Sequence, residues 1–215
     1  MLYTLYLAVL FVATLSFIIF LLNKEWSKKV RIITFSGPSG AGKTTIVWAL
    51  LKRHPDWKMV VSLTSREPRD SDLSGEYRCG VSKDEFLKLE REGKFMWTAF
   101  PHGNMYGTLL SDICKALKSK TPSLMQLTVS AVKSLHAYAP REVLSIFVLP
   151  PDETELRHRL EQRGERPEAI ERRVSDCKEW INEALLSNIP FEFVRNDGTI
   201  VDFTDEIERV IQRYI

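Results

Sequence analysis

The residues best suited to chemistry are Gly37-Pro38-Ser39-Gly40-Ala41-Gly42-Lys43-Thr44, which fit G-x-x-x-x-G-K-[ST] at every fixed position. Each residue type has a physical reason. Glycines let consecutive backbone N–H groups turn inward around an anion, where a Cβ would obstruct. A helix starting at the loop aims the positive end of its dipole at the same anion. Lys43 adds a mobile charge for the β- and γ-phosphates, and the Thr44 hydroxyl is placed to ligate Mg2+. Thr45 follows in the same turn. The run implies a site for a nucleoside triphosphate, with ATP and Mg2+ expected there.

Two arginine pairs extend the chemistry. Arg66 and Arg69, three apart on a loop, can form a planar bidentate clamp on a second phosphate. Arg159 and Arg163, four apart, share one face of a helix and can turn together toward developing negative charge.

A phosphate loop works only between a buried strand and a helix, and the flanks read that way. Residues 30–35 form an apolar strand, and residues 45–51 a helix. Further on, 59–63 reads as a second strand, 64–82 as a polar binding loop, and 83–92 as a helix with Ser82 and Glu85 as a capping box. Strand 95–100, helix 109–118, strand 124–129, helix 131–138 and strand 143–148 then follow. Helices at 154–162 and 168–187, a short strand at 191–194 and a helix at 203–214 complete the chain. This alternation predicts an α/β fold, a parallel sheet covered by helices on both faces.

The 215 residues allow one domain plus an appendage. A net charge of +2 argues against a nucleic-acid partner. The three cysteines and four histidines show no metal-ligand spacing. Residues 2–22 carry no charge, and at about 1.5 Å per residue they match the roughly 30 Å hydrocarbon core of a bilayer. Lys24, Lys28, Lys29 and Arg31 crowd one end. The expectation is a transmembrane anchor at 2–22, a linker at 23–29 and a cytoplasmic domain at 30–215, in a single-pass membrane protein.

From residue 31 onward the chain resembles guanylate kinases. Gly37-Pro38-Ser39-Gly40 matches that family's opening. Ser62-Leu63-Thr64-Ser65-Arg66-Glu67-Pro68-Arg69 resembles S-x-T-[ST]-R-x-P-R, and Gly103-Asn104-Met105-Tyr106-Gly107-Thr108 resembles G-N-x-Y-G-[ST]. The resemblance implies a three-layer P-loop NTPase core, an acceptor-binding insertion at about 62–108 and a lid at about 157–173. It implies ATP contacts at Asn196 and Asp197 besides the loop, and catalytic roles for Lys43, Arg159, Arg163 and Arg173. It implies acceptor contacts at Ser62, Arg66, Arg69, Tyr77, Trp97, Tyr106 and Thr108.

Departures fall on the base-reading side. Counting back from Gly103, the family's guanine-reading glutamate becomes Trp97, and its L-D-x-D strand becomes Met125-Gln126-Leu127-Thr128. Tyr77 stands one place early, with Arg78 in the aligned position. The implied activity is transfer of the γ-phosphoryl of ATP to GMP or a related phosphate-bearing acceptor. The alternatives are a nucleotide-binding scaffold or sensor with little turnover, and a nucleoside-triphosphatase switch. A protein partner is not identifiable.

Overall fold

The computed structural model describes residues 30–68, 77–100, 103–162 and 164–215. Its centre is a five-stranded sheet of β1 (Ile32–Ser36), β2 (Lys58–Met59), β7 (Ser123–Gln126), β8 (Val143–Leu149) and β9 (Phe191–Arg195). The order is β2-β7-β1-β8-β9, and every pairing is parallel. Parallel strands need crossovers, and here helices supply them on both faces.

Alternation along β1 shows how the layers are divided. Ile33 and Phe35 face α1 (Lys43–Arg53) and α7 (Ile200–Ile211), where they pack with Ile46, Leu50, Phe203 and Ile207. Ile32 points the other way, into a cluster with Ile113 of α3 (Leu110–Leu117) and Val132 and Leu135 of α4 (Val129–Tyr138). The helix α7 begins with a reciprocal capping box between Thr199 and Asp202.

A second sheet, in the order β4-β3-β6-β5, stands apart from the first. It joins β3 (Ser62–Thr64), β4 (Tyr77–Arg78), β5 (Phe95–Ala99) and β6 (Tyr106–Leu109), with antiparallel pairing at β3–β6 and β5–β6. Its outer face is covered by α2 (Lys83–Arg91), where Phe86 stacks on Phe95. Two helices, α5 (Glu153–Gln162) and α6 (Pro167–Leu186), form a hairpin with its own apolar seam of Leu156, Leu160, Ile170, Val174 and Cys177.

The structure differs from the sequence reading in three places. The run 59–63 is two strands, with Lys58–Met59 in the main sheet and Ser62–Thr64 in the small one. The small sheet also holds a strand the sequence reading does not place, β6, which returns antiparallel beside the expected strand at 95–100. The membrane placement is the third. Among the described residues no helix is long and apolar enough to cross a membrane, and residues 2–29, with the expected anchor and linker, lie outside them.

One polar chain runs through the α4 side of the main sheet. Thr34 Oγ1 donates to Ser145 Oγ at 2.8 Å, and Ser145 Oγ lies 2.9 Å from His136 Nε2. The Ser145 proton remains available to a neutral imidazole nitrogen, which can accept it. Burial lowers the His136 pKa below its ordinary value. The folded state thus binds this proton less readily than the unfolded chain. The stability it contributes is complete above the unfolded value, about 6.5, and is lost as pH falls below it. The expected result is a melting temperature that drops as pH goes from about 7 to 5, with a shallower slope in His136→Gln; an unchanged slope would show that the ring protonates freely in place.

Candidate active site

The loop from Gly37 to Gly42 joins β1 to α1 at the carboxyl edge of the parallel sheet, where ligands of open α/β sheets bind. Gly37 has φ +137°, and a Cβ there would lie 2.3 Å from the Val148 carbonyl oxygen. Gly42, the N-cap of α1, has φ +98°, with Asn196 Nδ2 at 2.2 Å from the same kind of added atom. Both positions therefore demand glycine. Gly40 is approached by Leu156 of α5, so the helical hairpin rests on the loop. Asn196 Nδ2 donates to the Ala41 carbonyl at 2.8 Å and ties the β9–α7 turn to it.

Two cations bond to this loop and a third lies near it. Lys43 Nζ donates to the carbonyls of Gly37 at 2.7 Å and Pro38 at 2.8 Å. Arg173, on α6, donates to Ser39 Oγ and also pairs with Glu165 at 3.0 Å. Arg159 Nε donates to Glu155 at 2.8 Å along α5. Arg159, Glu155, Arg195 and Asp197 share the lining of an open cavity of about 560 Å3. Arg157 is not part of it; it bridges Glu153 and Glu171 across the hairpin and holds the Glu171 carboxyl below its usual range. Arg163 lies outside the described residues, and Thr45 is exposed at the start of α1.

The small sheet lines up the other candidates. Ser62, Thr108 and Trp97 stand in register across β3, β6 and β5, with Ser62 Oγ and Thr108 Oγ1 at 2.8 Å. A bulge between Phe95 and Trp97 turns Trp97 away from the α2 side. Its ring packs against the Ile113 and Leu127 cluster. Arg66 is 8 % exposed, donates to the Glu67 carbonyl at 2.9 Å and lies over the Tyr77 ring at 5.8 Å. Tyr77 in turn meets Tyr106 edge-on at 5.9 Å. Tyr77 thus packs beside Arg66 and Tyr106, while Arg78 is exposed and pairs with Glu85 at 3.6 Å. Arg69 lies outside the described residues.

The two departures in 125–128 are of different kinds. Thr128 is the N-cap of α4, accepting from Ala131 N–H, so its hydroxyl is a structural one. Gln126 faces the phosphate loop, where Thr44 Oγ1 donates to its Oε1 at 3.2 Å. Loss of a carboxylate marked the position in sequence; only the fold shows which residue it meets.

A glycine loop opening the helix behind a parallel strand, with a mixed sheet beside it and a helical hairpin resting on it, is the arrangement of an ATP-dependent nucleoside monophosphate kinase. The sequence profile of the guanylate kinase family matches residues 29–214. A guanylate kinase of Clostridioides difficile is 37% identical over 185 residues, covering 86% of this chain and 88% of the relative. One from Trichormus variabilis is 36% identical over 163 residues, covering 75% of this chain and 81% of its own. A solved guanylate kinase from Anaplasma phagocytophilum superposes with a TM-score of 0.65 over 86% of this chain and 85% of that one, and at 22% identity it speaks for the fold alone. The chain belongs to the guanylate kinase family. The relatives also give the membrane placement no support.

Gly37→Ala is expected to cost more than about 2 kcal/mol, because the added methyl meets a backbone carbonyl that cannot rotate away. Urea unfolding of the purified variant measures this, and wild-type stability would mean that the loop relaxes freely.

Proposed function

We propose that the chain moves the γ-phosphoryl group of ATP to GMP or a related phosphate-bearing acceptor. The supporting observation is the convergence of Lys43 and Arg173, from α1 and α6, on a single glycine loop. A scaffold that only held nucleotide has no chemical use for a second cation brought in by a separate helical hairpin. A phosphoryl group in flight does, since its charge spreads over the equatorial oxygens.

In this reading the backbone N–H groups of residues 37–42 and Lys43 hold the β- and γ-phosphates. Arg159, Arg163 and Arg173 close from the lid, at about 157–173, and exclude water. Asn196 and Asp197 border the donor base. The insertion at about 62–108 takes the acceptor. Arg66 and Arg69 grip its phosphate, and Ser62, Tyr77, Tyr106, Thr108 and Trp97 surround the rest. The catalytic unit spans 30–215.

The residues also fit Mg2+. Thr44 offers a hydroxyl oxygen, and its proton is already committed to Gln126. In this reading Thr44 is the protein ligand, and phosphates and water supply the rest of the coordination. Bound there, Mg2+ supplies charge neutralisation for the phosphates.

A second reading, an acceptor other than guanine, is favoured by Trp97. Its indole N–H is buried without an acceptor among the described residues, at a position in register with Thr108. An acceptor panel of GMP, dGMP, AMP, UMP and CMP with Mg·ATP decides between them. ADP release stimulated most by GMP is expected. Stimulation by another nucleotide supports the second reading, and no acceptor-dependent release overturns both in favour of a binding module.

Lys43→Ala should lower kcat by about 10^2-fold or more while leaving the melting temperature within a few degrees, because its contacts to Gly37 and Pro38 are half-exposed. Steady-state kinetics beside thermal unfolding checks this; undiminished turnover would remove Lys43 from the mechanism.

A further inference from the structure

We propose that Gln126 is a positioning residue of the phosphate site, its carbonyl holding the Thr44 hydroxyl and its amide N–H donating to a phosphate oxygen of the nucleotide. The inference rests on the reading that the loop takes ATP, and it adds a residue that the motif does not contain.

Gln126 is the last residue of β7 and pairs in register with Phe35, two residues before Gly37. The strand therefore delivers this side chain to the carboxyl edge of the sheet beside the loop. Its two ends are treated differently. Oε1 accepts from Thr44 Oγ1 at 3.2 Å. Nε2 is buried and has no hydrogen-bond acceptor among the described residues. A buried N–H without an acceptor is costly and rare in folded chains, and those that persist invite a role. Two indole N–H groups, of Trp48 and Trp97, share this state, but Gln126 alone is hydrogen-bonded to a residue of the phosphate loop.

The chemistry at this corner follows from the amide's neutrality. A carboxylate would attract a cation and repel phosphate, so its help would depend on metal. An amide that offers an N–H attracts phosphate oxygen directly, whether or not metal is present. By taking the Thr44 proton, the Gln126 carbonyl also turns the hydroxyl lone pairs outward. One side chain thus fixes the loop's hydroxyl and contributes a donor to the anion.

The test is ATP affinity, measured by titration calorimetry on the full chain, once in EDTA and once with excess Mg2+. Gln126→Ala should weaken metal-free ATP binding by about tenfold, the loss of one hydrogen bond to a charged group. Gln126→Glu keeps the shape but reverses the electrostatics. It should weaken metal-free binding further, and Mg2+ should restore much of that loss for Glu but not for Ala. Melting temperatures near wild type would separate this from a packing defect. Wild-type metal-free affinity in both variants overturns the proposal, as does an equal loss in both that ignores Mg2+. If the wild-type chain bound no ATP in either condition, the ATP reading itself would fall together with it.

Discussion

A loop that offers its backbone N–H groups to an anion must be bent where side chains do not fit, and the rest of the molecule holds that bend. The backbone at Gly37 lies against the Val148 carbonyl of β8, so the central sheet sets the start of the curve. Gly42 lies against Asn196, whose amide is itself bonded to Ala41, so the β9–α7 turn sets its end. Leu156 closes the middle from the hairpin. The strand order β1-β8-β9 brings these supports together. No local propensity of residues 37–44 could maintain the shape without them.

The site's cations are committed to different degrees. Lys43, Arg159 and Arg173 are engaged with carbonyls, a hydroxyl and carboxylates near the surface. These contacts are only half-buried and lie close to solvent, so in the proposed reading they can be exchanged for those of a triphosphate. Arg66 is different. It is buried, bonded to the Glu67 carbonyl and laid over Tyr77, so most of its side-chain freedom is already lost in the folded chain. In the proposed role, such an arginine would meet a phosphate with less ordering left to do. In the proposed reading the donor side is thus adaptable and the acceptor side is set in advance.

The small sheet owes its position to an irregularity. The bulge between Phe95 and Trp97 lets Phe95 stack on Phe86 under α2, while Trp97 packs on the opposite side with Ile113 and Leu127. Without the extra residue the two aromatic rings would share a face, and one layer would lose its filling. The bulge therefore joins the small sheet to the α4 side of the main core and sets Trp97 level with Thr108 and Ser62. That part of the site follows from packing.

Local chemistry alone made much of this legible. The phosphate loop, its flanking strand and helix, the Ser82 cap and the order of the later strands and helices all rest on patterns spanning a few residues, and each recurs in the fold. Long-range partners decided the rest. Residues 59–63 read as one strand because no local signal shows that Met59 pairs with Leu124 while Leu63 pairs with Gly107. Thr128 and Gln126 looked alike as missing acids, yet one caps a helix and the other meets Thr44, 82 residues away. Residue type determines which interactions a side chain can make. Only the tertiary structure, through sheet register and the close approach of distant segments, determines which of them it does make.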